Sequence, residues 1–170
     1  MKVEPLSNID ITKKLAKYGI KINFVVYKDL KHLTSLDEVI PCILLYQLMY
    51  PIGHWVALFV NKEGINYFDP TGHVPDQLLK DNFQHPLGRE AMNADYTYLS
   101  QLLLEYSEDT GLPIIYNEIE LQPPNTNTCG YHCGLRLYFS NYTNDEYNQI
   151  WTKYSKADIQ RKIVKLWKKL

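Results

Sequence analysis

Apolar positions along the chain alternate between helical and strand spacing. In NIDITKKLAKYGI (8–20), Ile11, Leu15 and Tyr18 recur at helical intervals and the pattern stops at Gly19, which predicts a helix. INFVVY (22–27) predicts a strand. SLDEVI (35–40) places Glu38 three residues after Ser35, a capping box that opens a short helix. CILLYQLM (42–49) is an apolar run of strand length. HWVALFV (54–60) and INYFD (65–69) predict paired strands joined by NKEG (61–64), a four-residue turn with glycine at its end. After Pro75 comes DQLLKDNF (76–83), then a helix from about Tyr96 to Tyr106 and a strand in PIIYNEIEL (113–121). Three helices close the chain: CGYHCGLRLYFSNY (129–142), DEYNQIWTKY (145–154) and ADIQRKIVKLWKKL (157–170). The last sets Ile159, Ile163, Leu166 and Leu170 on one face. The mixture, with at least one antiparallel hairpin, is of the α+β class.

Length and composition narrow this picture. At 170 residues, without internal repeats or a low-complexity linker, the chain is expected to form one domain over 1–170. Apolar residues at 45% and charged residues at 22% are ordinary for a globular protein. No apolar run approaches the length of a membrane span, so no membrane partner is expected. MKVEPLSNIDITKK lacks an apolar signal region, so the protein is not expected to be secreted. Three cysteines, Cys42, Cys129 and Cys133, are too few for a disulfide framework and suit a reducing compartment. Net charge is −1 but unevenly spread: residues 153–170 carry seven basic residues against one acid, the rest eleven against eighteen.

The hairpin brings chemistry together. If the turn is symmetric, Val60 pairs with Ile65 and Asp69 falls opposite Val56. His54, Val56 and Asp69 then share a face, with His54 and Asp69 diagonal neighbours roughly 7–8 Å apart at the backbone. A one-residue slip would separate them. In that register the carboxylate orients the imidazole and leaves its other nitrogen as base. Cys129 opens a predicted helix, where the positive end of the dipole favours thiolate. Thr128 is placed to cap that helix, and Gly130 admits a close backbone neighbour. Beside an imidazole such a thiolate is an activated nucleophile. The amide of Cys129 and the side chain of Gln122, seven residues upstream, are candidate oxyanion donors.

Plainer roles compete for each residue. A cysteine in a globular protein is more often a small buried hydrophobe than a nucleophile, and Cys42 and Cys133 are read that way. Cys129, His132 and Cys133 suggest zinc, but a fourth ligand such as His73 or His85 is not recommended by spacing, so no metal is expected. Asp69 in DPTG could initiate a turn, Gln122 could be surface loop, and Trp55 is most simply a core aromatic. The basic terminal helix is explained by a solvated face and a favourable dipole interaction; DNA binding there is the less favoured reading.

GHW (53–55), YFDPTG (67–72) and QPPNTNTCG (122–130) together resemble the His, acid and Gln…Cys boxes of the adenovirus-type, adenain-like viral maturation proteases. These belong to a superfamily that includes the SUMO-deconjugating cysteine proteases. The order His…Asp…Cys, the Gln-to-Cys spacing and the Trp after the His all match; Asp69 stands where the adenovirus enzymes carry Glu, as in the SUMO branch. The resemblance implies a papain-like fold, a central mixed sheet with an antiparallel hairpin flanked by helices. It implies catalytic His54, Asp69 and Cys129, oxyanion Gln122, and substrate contacts at Trp55 and Gly130, without cofactor. The implied activity is cleavage after small residues in Gly-x-Gly or Gly-Gly contexts. The implied substrates are viral capsid or other structural precursors, met in the host cytoplasm, a virus factory or the virion. Removal of ubiquitin-like modifiers, or a catalytically silent protein that only binds its partner, are the alternatives.

Overall fold

The computed structural model describes residues 3–49, 52–82 and 97–170. Phe83, Tyr96 and His85, which enter the expectations above, lie outside the described residues. The chain is a mixed α/β fold built on a five-stranded sheet in the order β1-β2-β3-β4-β5. The strands are β1 Asn23–Val26, β2 Cys42–Met49, β3 Ile52–Asn61, β4 Gly64–Phe68 and β5 Ile114–Tyr116. β1 runs parallel to β2, β2–β3–β4 form an antiparallel meander, and β5 lies parallel to β4. Around it lie α1 Asn8–Ala16, α2 Gln77–Asn82, α3 Tyr98–Thr110, α4 Cys129–Tyr138, α5 Asn144–Trp151 and α6 Lys156–Lys169.

Strand alternation splits the core into two layers. Trp55, Ala57, Phe59 and Phe68 face a cluster that includes Ile11 and Leu15 of α1, Leu135 and Leu137 of α4, Trp151 of α5 and Ile163 and Trp167 of α6. Val56, Leu58, Ile65 and Tyr67 face the other cluster, with Leu79 of α2 and Leu99 and Leu103 of α3. Ile159 and Ile163 are buried as the pattern of the last helix predicts, while Leu166 and Leu170 pack partly buried against the same cluster. No helix among the described residues is long and apolar enough to cross a membrane.

Three of the boundary differences from the pattern have a visible cause. Strand β1 stops at Val26 because Tyr27 begins a 3-10 turn through His32 and sends its hydroxyl to buried Asp76 at 2.6 Å. The predicted strand over 113–121 shrinks to Ile114–Tyr116 because its partner β4 ends just beyond Tyr67, which faces Tyr116. Helix α4 ends at Tyr138 rather than Tyr142, and the chain that follows turns across the guanidinium of Arg136, which donates to the carbonyls of Phe139 (2.9 Å) and Tyr142 (3.0 Å).

Candidate active site

The hairpin register is the one the sequence pattern requires. Val60 pairs with Ile65, although the loop is two residues, Lys62 and Glu63, closed by the Asn61–Gly64 pair. The β3–β4 ladder ends at Ala57 opposite Phe68, and beyond it the chain reaches Asp69. There the His54 Nε2 lies 2.8 Å from Asp69 Oδ1, both side chains buried.

Past the end of β4, helix α4 meets β3 directly. The Trp55 carbonyl accepts from the thiol of Cys133 at 3.2 Å, and the Trp55 N–H points at the sulfur of Cys129. Two cysteines one helical turn apart thus satisfy one residue's backbone at the open strand edge. The same approach sets the Cys129 thiol beside the His54 ring, close enough for each to shift the other's ionisation. Because Asp69 occupies Nε2, the nitrogen left for the sulfur is Nδ1.

Charge follows geometry. Burial opposes ionisation at His54, but the charge and hydrogen bond of Asp69, with Cys129 beside it, raise its pKa to about 10. Burial also pushes the Cys129 thiol up. The His54 hydrogen bond and charge, with the N–H groups of Trp55 and Gly130, outweigh it and bring the thiol below its ordinary value. For Asp69, burial raises the carboxyl, while His54 and both donors of Thr71 hold it below the usual carboxylate range. The three groups lie in the order carboxylate, imidazole, sulfur, and the shifts of all three run in the direction that favours opposite charges on neighbouring groups. By contrast the other thiols are inert: burial lifts Cys42 to about 12, and burial with the nearby charges of Cys129 and Asp69 raises Cys133 well above a free thiol.

The DPTG turn does more than reverse the chain. Asp69 Oδ1 accepts from the Thr71 N–H (2.8 Å) and the Thr71 hydroxyl (2.6 Å). Since that hydroxyl has one proton and gives it to an acceptor-only carboxylate, the contact with His73 Nδ1 at 2.6 Å is donated by His73. The Pro70 carbonyl accepts from both Leu121 (2.9 Å) and Gln122 (2.8 Å). Gly72, at φ +78°, lets the turn press against residues 118–120, where a Cβ would meet backbone atoms at 3.0–3.1 Å. The acid and the glutamine are therefore carried by one clamped pair of loops. Thr71→Val keeps the side-chain shape and removes one bond to the carboxylate. Turnover is expected to fall about 5- to 30-fold, and the loss of activity on acidification to begin at higher pH, because Asp69 then protonates more easily. A kcat/KM profile across acidic and neutral pH reads both; an unchanged profile would mean the brace is dispensable.

Gln122 is buried, 4% exposed, and its Nε2 donates to the Thr126 carbonyl at 2.8 Å, leaving one N–H of the amide uncommitted. It lines a cleft of about 410 Å3 together with His54, Trp55, Cys129, Leu45 and Leu6. The four residues expected to carry chemistry, His54, Asp69, Cys129 and Gln122, are thus brought together.

The chain is 36% identical over 139 residues to "Uncharacterized protein V9" of Sputnik virophage, a match covering 78% of this chain and 74% of that one. This chain belongs to the V9 family. No family model matches it, and no solved structure does.

In this V9 family member two expectations about the nucleophile's helix need correction. Thr128 occupies the N-cap position of α4 without capping it: its backbone (φ −108°, ψ 2°) lies outside the extended region of a capping residue, and its hydroxyl donates to Gln160 Oε1. The first-turn amides stay free for the site, and that of Gly130 is aimed at the sulfur. Gly130, expected at the substrate and beside a backbone neighbour, is packed under the cleft against side chains: a Cβ there would lie 3.0 Å from Leu6 and 3.3 Å from Ile11. Trp55 does line the cleft and meets the partly exposed Phe24 edge to face at 5.6 Å. The triple Cys129, His132 and Cys133 is divided among separate partners, with His132 bonded to Gln160.

Sequence pattern missed the N-terminal wall. Pro5, Leu6 and Ser7 line the cleft, and the Tyr131 hydroxyl holds this segment through the Glu4 carbonyl at 3.0 Å. It also missed Thr71, for which the signal was present: a threonine two residues after an aspartate in a turn is placed to bond that carboxylate.

Proposed function

We propose that the chain is a cysteine endopeptidase, adenain-like and papain-like in broad fold, that cleaves after small residues in Gly-x-Gly or Gly-Gly contexts. The observation that carries this reading is the buried Asp69–His54 hydrogen bond with the Cys129 thiol beside the same ring, on a cleft lined by His54, Cys129 and Gln122. The Cys129 thiolate attacks the scissile carbonyl, forming a C–S bond while the oxygen takes the negative charge. The amide of Cys129 and the uncommitted N–H of Gln122 hold that oxyanion. Protonated His54 gives its proton to the leaving nitrogen as the C–N bond breaks. Water then adds to the thioester with its proton passing to His54, and the acid leaves as the thiolate returns. Asp69 keeps the ring oriented throughout.

A virophage relative supports a viral structural precursor as substrate, with processing in the infected cell or the particle. The competing substrate is a ubiquitin-like modifier. Purified full chain is offered a short peptide carrying Gly-x-Gly and, separately, a folded modifier fusion, each alongside Cys129→Ala. Cleavage of the peptide at glycine by wild type alone is expected. Cleavage of the fusion with the peptide untouched would assign deconjugation instead. Absence of turnover on both, with Cys129 reacting as an ordinary thiol, would mean a protein that binds without catalysis.

A further inference from the structure

Gln160, on α6, touches no part of the cleft's reacting groups, yet every hydrogen-bonding position of its amide is taken. Its Oε1 accepts from the Thr128 hydroxyl and from His132 Nε2 at 3.0 Å, and its Nε2 donates to the carbonyls of Leu121 (2.7 Å) and Lys156 (3.2 Å). The amide cannot flip, because that would set its oxygen against two carbonyl oxygens. The bond also sets His132 as the Nε2–H tautomer. Burial keeps that ring neutral, depressing its pKa to about 4, so no second cation competes beside His54.

Three of those four bonds end on residues adjoining the site. Leu121 precedes Gln122, Thr128 precedes Cys129, and His132 lies three residues into the same helix. Between Gln122 and Cys129 the chain is a loop flanked on one side by the cleft and on the other by a hollow of about 530 Å3 that Gln160 lines with Asn125 and Arg161. The two proposed oxyanion donors therefore sit at opposite ends of a loop bordered by open space on two sides, and one side chain from a distant helix joins the ends. Resting on the protease reading above, we infer that Gln160 is a positioning residue that fixes the distance between the Gln122 side chain and the Cys129 amide. Its sequence position carries a faint mark of this: Gln160 lies on the stripe of Ile163, Val164 and Trp167, where a core-facing residue belongs.

Gln160→Met keeps the length of the side chain and removes all four bonds. Gln160→Glu keeps the acceptor for Thr128 and His132 and loses the donor to Leu121, so it loosens one end of the loop only and serves if the methionine variant folds poorly. In amide hydrogen exchange on the full chain, Gln160→Met is expected to speed exchange at least 10-fold at both 121–122 and 128–130, and Gln160→Glu chiefly at 121–122, while β3 and β4 exchange as in wild type. With the glycine peptide, kcat of Gln160→Met falls about 10-fold or more and KM moves less than about 3-fold. Alkylation of Cys129 by iodoacetamide stays within about 2-fold, because the thiolate is made by His54 and needs no oxyanion hole. Unchanged exchange at both segments, or alkylation falling in step with turnover, overturns the inference. If wild type turns over nothing while exchange responds as described, the tether stands and the protease reading falls.

Discussion

Replacing Cys129 with alanine abolishes peptide cleavage, down to the rate of buffer alone, while leaving the fold in place. The nucleophile has no substitute within reach: Cys133 is fully buried with its thiol given to the Trp55 carbonyl, and Cys42 lies in the other core layer with its pKa lifted to about 12. Removing one sulfur from a site already near the surface leaves a small gap, so the thermal midpoint is expected to move by only a few degrees. Labelling supplies the control. At neutral pH, iodoacetamide should modify wild type at Cys129 alone, and folded Cys129→Ala should take no label. Wild-type turnover by the alanine variant, or labelling of wild type elsewhere before Cys129, would remove this cysteine from the mechanism.

Asp69→Asn produces the second large effect, and it is readable through pH. With the carboxylate gone, the strongest influence raising the His54 pKa disappears and burial, which lowers it, remains. An imidazole that is neutral near pH 7 no longer stabilises the thiolate, and the asparagine amide can offer its N–H to the ring, favouring the wrong tautomer. The Cys129 thiol therefore rises. In wild type, alkylation should already be fast well below pH 8.5, the ordinary thiol value, and in Asp69→Asn its midpoint should move up toward or past that value. Turnover near neutrality is expected to drop by about two orders of magnitude or more. Alkylation profiles that superimpose would mean Asp69 does not hold the ring. A profile shifted to lower pH would reverse the sign of the argument, because the carboxylate's direct repulsion of the thiolate would then outweigh its support of the imidazolium.

The relation between DPTG and the site explains why the acid was hard to judge from the residues alone. Asp-Pro-Thr-Gly makes a turn whatever else it does, and the turn is there: the Gly72 N–H bonds to the Asp69 carbonyl at 2.9 Å. The same four residues also orient an imidazole, brace the carboxylate and clamp the Gln122 loop. Local sequence carried the turn chemistry, whereas the clamp required knowing that residues 118–122 return beside it. Gln160 is the extreme case, separated by 38 residues from Gln122 and 31 from Cys129, with no motif around it.

Local spacing determined a good deal by itself. Period-two alternation and a symmetric turn set the hairpin register, because any slip of one residue would have turned every buried side chain of β3 or β4 to the wrong layer. That register put His54 beside Asp69, and the capping box at Ser35 marked the start of a short helical turn from residues three apart. What only the tertiary structure decided is what meets the open edge of β3: the first two turns of α4, whose Cys133 bonds the Trp55 carbonyl and whose Cys129 sits beside His54. That approach depends on where β4 ends and on α6 packing against α4, contacts between segments far apart in the chain, and no spacing rule within either segment encodes them.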